Sequence, residues 1–330
     1  MSDQAMGNTT GQAGVTIELS TELSMDQVQY SQSTDTTDTG SVLVNNLEVG
    51  GIGTDADAGF GDALDMEINV DLPGGGETLS NFGSKAGQQN DAGGDIGGDD
   101  LTLNDGDALI SVQSYNVDSD GDSIPVDMRL EMGTASPTNP DGEDAAFQLS
   151  SSDGTNTATL ISELKADVFL TQLDIIARND AVDDGSGNPV GSDANGAIEI
   201  EAAFGLDDLD AQFDVASVGI ENMRMAGVGS LAAMKQGQAG PLAAGGGAIV
   251  GSGAGAAIVS MDIGQGGSLS ATGPDETLRV NLSNFQADIW MPTITVGANT
   301  DGTTAGRSIG SVGISNLQVS NTQMSIYGRD

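Results

Sequence analysis

The stretch Val15-Thr-Ile-Glu-Leu-Ser-Thr-Glu-Leu-Ser-Met25 sets Val15, Ile17, Leu19, Leu23 and Met25 on one phase of a two-residue period, against Glu18, Ser20, Glu22 and Ser24 on the other. Successive side chains of an extended backbone point to opposite faces, so this alternation is that of a half-buried strand. The same pattern returns in Leu64, Met66, Ile68, Val70 and Leu72, in Ile124, Val126, Met128, Leu130 and Met132, and in Ile198, Ile200, Ala202 and Phe204. No long helical period competes, the best helical candidate being a short turn at Ser230 to Gln236. The chain therefore reads as all-β.

A nonapeptide recurs. Ser41-Val-Leu-Val-Asn-Asn-Leu-Glu-Val49, Ser217-Val-Gly-Ile-Glu-Asn-Met-Arg-Met225 and Ser311-Val-Gly-Ile-Ser-Asn-Leu-Gln-Val319 match position for position, and Arg279 to Ala287 and Leu109 to Val117 are looser copies. Apolar residues follow at steps of two, three and two. A step of three reverses the side-chain phase, so a flat strand would turn its second apolar pair to water. The residue inside that step is Asn46, Asn222, Asn284 or Asn316, and asparagine tolerates the left-handed conformation that re-aims a strand. Each of the four is expected to sit at a bend, a bulge or corner, between two short strands.

The copies are unevenly spaced, which disfavours a strict solenoid. The expected architecture is an elongated body of stacked β-sheets, a sandwich or an irregular solenoid, over residues 27–330. An extended arm over 1–26 would precede it, and Gly/Asp-rich mobile insertions would fall near 74–100, 179–196 and 227–255. Glycine contributes 49 residues and aromatics only 3% of the 330, so the apolar layers must be thin. Acids outnumber bases 49 to 9, a formal net charge of −40. Such a field repels phosphate backbones and anionic lipid, which excludes nucleic acid as a partner. No run approaches the length of a membrane-spanning helix, and no signal peptide opens the chain, so an exported protein would have lost it by processing.

Catalytic chemistry finds little support. The chain has no His and no Cys, which removes the common nucleophile–base pairs and zinc sites. The best metal candidate is the loop Asp118-Ser-Asp-Gly-Asp122 with Asn116 and Asp127, whose alternating oxygens suit Ca²⁺; a solvated turn is the competing reading. Asp180, Asp183 and Asp184 form a weaker cluster. Trp290, the only tryptophan, is out of phase with Phe285, Ala287 and Ile289 and reads as a core or interface anchor.

Met1-Ser-Asp-Gln-Ala-Met6 with Thr10-Gly-Gln-Ala-Gly-Val-Thr-Ile-Glu-Leu19, and at the other end Ile314 to Val319 with Met324-Ser-Ile-Tyr327, resemble the mature termini of secreted Gly/Asp-rich surface proteins of γ-proteobacteria, including the FilA-type pilus-system family. The resemblance implies export and surface assembly, and carries no catalytic residues.

The leading expectation is a structural subunit of an extracellular, pilus-like filament, polymerising with copies of itself by β-strand addition. Val15, Ile17, Leu19, Leu23 and Met25 would form the subunit interface, on a strand free to join a neighbour or to pair within its own chain. A Ca²⁺-stabilised surface adhesin binding glycans or abiotic material is the runner-up, and a β-helical polysaccharide-active enzyme the third reading.

Overall fold

The computed structural model describes residues 14–31, 40–52, 63–72, 77–82, 85–89, 95–96, 99–103, 106–114, 125–133, 145–151, 156–178, 197–236, 256–270, 272–274, 277–297 and 306–327. In chain order the strands are β1 Val15–Thr21, β2 Leu23–Ser31, β3 Ser41–Gly50, β4 Leu64–Asp71, β5 Glu77–Phe82, β6 Lys85–Gln89, β7 Asp95–Ile96, β8 Asp99–Leu103, β9 Ala108–Gln113, β10 Val126–Met132, β11 Phe147–Ser150, β12 Thr157–Ala177, β13 Ala197–Phe213, β14 Val218–Glu221, β15 Arg224–Ala226, β16 Ala257–Gly266, β17 Thr277–Val296 and β18 Arg307–Ile326. Among the described residues a short α-helix, α1, covers Leu231–Lys235, and a single 3₁₀ turn covers Asp214–Ala216.

The all-β expectation holds, and most strands lie side by side in one 14-stranded sheet. Its columns run in a simple order. The first is β1 followed by β2; the second is β4 and β3; the third is β9, β10 and β11 end to end; β12 and β13 are the fourth and fifth. Then come β16, β15 and β14 end to end, β17, and β18 as the eighth. Every neighbouring pair is antiparallel. The longest strand, β12, has 21 residues, a span of about 70 Å at ~3.3 Å per residue. Strands β5 with β8 and β6 with β7 form two separate two-stranded sheets in the first expected insertion and just beyond its end.

Because residues opposite each other share a face, the register defines rows across the sheet. Ile17, Ile68, Val112, Leu173, Ala202, Val259, Phe285 and Val319 form one unbroken row over all eight columns. The next on that face is Val15, Val70, Ile110, Ile175, Ile200, Met261, Leu282 and Thr322. Between them, on the reverse face, run Thr16, Asn69, Ser111, Asp174, Glu201, Ser260, Asn284 and Ser320. In these rows one face is apolar and the other polar and acidic, and elsewhere the reverse face also buries Ile176 and Ile258.

Steps of three keep this division intact along the long strands. The pairing slips between Leu170 and Gln172 on β12, where the apolar sequence jumps from Leu170 to Leu173, and between Asp167 and Val168, where β13 jumps from Leu206 to Leu209. Asn46, Asn222 and Asn316 take positive φ of 48°, 55° and 54° inside their steps, the bend expected of them. Two differences stand out. Asn284 has ordinary backbone and pairs with Ser260 and Ser320, the extra residue beside it being Ser283. Asn46 and Asn316 lie as bulges within continuous strands, and only Asn222 separates two strands.

Polar groups staple the reverse face. Arg129 donates from Nε and Nη2 to the two oxygens of Asp167 at 2.7 and 2.8 Å, a buried bidentate pair. Arg178, at the end of β12, joins Asp107 and Glu199, both at 3.1 Å. Gln27 donates to Asn45, Asn45 to Gln148 and Gln148 to Thr159, a side-chain ladder over the first four columns.

Candidate functional site

The two outer columns are the distinctive surfaces. The interface residues expected from the sequence fall on the first: Val15, Ile17 and Leu23 are 56%, 46% and 46% exposed, and Leu19 and Met25 are half-buried. The inner edge of this column is occupied by its own chain, β1 on β4 and β2 on β3. Its outer edge has no strand beside it among the described residues. Strand β18 closes the other side in the same way, pairing among the described residues only with β17. Ile309, Val312, Met324 and Ile326 are exposed along it.

Proteins usually guard a free edge with proline, lysine or inward-pointing charge. Neither edge has Pro or Lys within its strands. Their charges differ: β1 and β2 carry Glu18 and Asp26 with Glu22 between them, while β18 carries no acid and a single base, Arg307. In a chain of net charge −40 an acid-free strand of 20 residues is the place where acidic edges meet least repulsion.

Beside β18 the bulge at Asn316 is held by Asp288, which is fully buried. One oxygen accepts the Asn316 backbone N–H at 2.6 Å; the other accepts those of Gly229 and Leu231 at 3.0 and 2.9 Å. Asp210 treats the bulge at Asn222 alike, accepting its N–H at 2.7 Å. Trp290 does anchor packing, but of a helix: Leu231, Met234 and Ala226 gather around it, and Lys235 Nζ lies 5.3 Å from the ring centre. A Cβ on Gly313 of β18 would stand 3.1 Å from both Leu231 and Lys235, so glycine lets α1 lie close.

Of the Ca²⁺ candidates, Asn116, Asp118, Asp120 and Asp122 lie outside the described residues, as do Asp180, Asp183 and Asp184. Asp127 is on β10, opposite Phe169. Among the described residues no cluster of acids has metal-site geometry, and no helix is long and apolar enough to cross a membrane. Sequence reasoning missed the Asp288 and Asp210 braces and the open edge of β18. The last had a signal, since the third nonapeptide copy continues into Met324 and Ile326 at strand spacing.

A family model described as a family of unknown function (DUF6160) matches residues 1–73, the part of the chain that holds β1 to β4. No curated protein matches. No solved structure matches either.

Proposed function

We propose that the chain is a structural subunit of an extracellular fibre, built by adding the β18 edge of one copy to the β1–β2 edge of the next. The observation that carries this reading is the pair of long, unguarded edges on opposite sides of an even-numbered antiparallel sheet. With eight columns the two edge strands run in opposite directions. A copy displaced by simple translation therefore sets β18 antiparallel to the neighbour's β1 and β2, with the apolar face kept on the same side. Such a contact is heterologous and does not close, so it propagates. Pairing two β1–β2 edges would instead bring acids against acids. Export is supported by the resemblance of the chain ends to secreted surface proteins.

Thr16 and Ser320 occupy the same row at opposite edges, and the chain has no cysteine, so Thr16→Cys with Ser320→Cys is a clean test. Oxidation should give a covalent ladder of oligomers without reductant, and each single variant should stop at dimers. An internal disulfide in monomers would mean that the sheet closes on itself, and the absence of both ladder and fibres in 0.5 M salt would end the fibre reading.

A further inference from the structure

The apolar face is far larger than a soluble sheet leaves bare. Eight columns at ~4.8 Å by strands of ~65 Å give a face on the order of 2,500 Å², against a few hundred Å² for the largest apolar patch of an ordinary monomer. Its second eight-column row is not buried as a core would be, although Leu64, Val126, Met132 and Leu206 elsewhere on the face are buried. In the row Val15, Val70, Ile110, Ile175, Ile200, Met261, Leu282 and Thr322 no member is buried, and Ile198 on the central β13 is 42% exposed. The one described cluster of buried apolar residues gathers around Trp290, which is out of phase with the apolar rows and so belongs to the reverse face.

We infer that this face is covered by the same face of a second copy, making a two-layer sheet. Three features select that occupant. The area exceeds several-fold the ~800 Å² per partner of a stable interface. The two eight-column apolar rows carry no charged residue, and apolar-to-apolar stacking keeps the acidic reverse faces of the two copies apart. Ala166, Ala202 and Ala211 are buried hollows among Leu, Ile and Val, the relief that two inner faces need to interdigitate at about 10 Å. An anionic membrane is disfavoured by the charge of −40. The inference concerns the face and not the edges, so it stands or falls apart from the fibre contact.

Ile198→Lys and Leu278→Lys place a charge on the apolar face at positions already exposed, 42% and 47%, so the single sheet should still fold, as circular dichroism would check. Ser283→Lys, exposed at the β17 bulge, is the control. Sedimentation of the full chain should give even multiples of its mass, halved by either face variant and unchanged by the control. Where fibres form, mass per length should fall from two chains to one per ~38 Å, the width of eight strands. Wild-type monomers, one chain per repeat, or masses indifferent to both Lys variants would overturn the inference. So would binding of the monomer to phosphatidylcholine vesicles lost in Ile198→Lys, which would make lipid the occupant.

Discussion

Asn316 stands at φ 54° with its N–H on a fully buried carboxylate, and the same Asp–Asn pairing recurs at Asp210 and Asn222. Removing the Asp288 carboxylate leaves three backbone N–H groups unpaired, each worth about 1 kcal/mol or more. Asp288→Ala should therefore cost roughly 3 kcal/mol in denaturant unfolding, with Asp288→Asn milder because one acceptor remains. The asparagines were legible because a step of three in an apolar period demands a bend. Asn284 was misread because Ser283 supplies the extra residue in that copy. The aspartates were not legible, since Asp288 reaches its bulge only through the register of strands 28 residues apart. Two other acids make stability depend on pH. Burial, then the neighbouring Asp210, raises Asp208 to about 6, and burial, then Glu199, raises Asp262 to about 6. Both hold protons in the folded state at pH values where the unfolded chain, with carboxyls near 3.9, has lost them. Stability from these groups is lost as pH rises from about 4 to about 6, so thermal melting at pH 5 should exceed that at pH 7. Asp208→Asn with Asp262→Asn should raise the pH 7 value and flatten the difference.

Elements differ in how far the sequence revealed them. Strand β4 was plain from unbroken alternation, Leu64 to Val70. Strand β12, the longest, was not, because its apolar residues fall in runs, Leu164 to Leu170 and Leu173 to Ala177, whose phases disagree until the bulge between them is known. End-to-end placement of β10 and β11 was equally hidden. It depends on Gly133, at φ 70°, where a Cβ would strike the backbone of Ala146 and Ser162. Gly133 N–H bonds to Asn45 O there, and Ala146 N–H to Ser162 O. Gly133→Ala should thus destabilise by more than the 1–2 kcal/mol of left-handed backbone alone. Hydrogen exchange should show the loss centred on β10, β11 and the facing part of β3.

At the scale of the molecule, composition foretold an acidic, thin-layered β protein, but not that its layers would be one broad sheet, because row formation depends on register and register on bulges. The charge of −40 makes any association of copies depend on screening, with a Debye length of about 30 Å at 0.01 M salt and about 10 Å at 0.1 M. The critical concentration for assembly should fall as NaCl is raised from 0.01 to 0.5 M, as measured by pelleting. The interrupted third and sixth columns have a mechanical consequence. Each is a course of short pieces, β9, β10 and β11 on one side and β16, β15 and β14 on the other, and each course lies against at least one unbroken strand, β12 for the third column and β13 and β17 for the sixth, as joints in masonry are spanned by whole bricks. A tear that opens between β9 and β10 meets β12 across its path, and one between β16 and β15 meets β13 and β17. Tension on the sheet is then carried past these joints by the covalent backbone of β12, β13 and β17, so the seams of the third and sixth columns cannot join into one fracture.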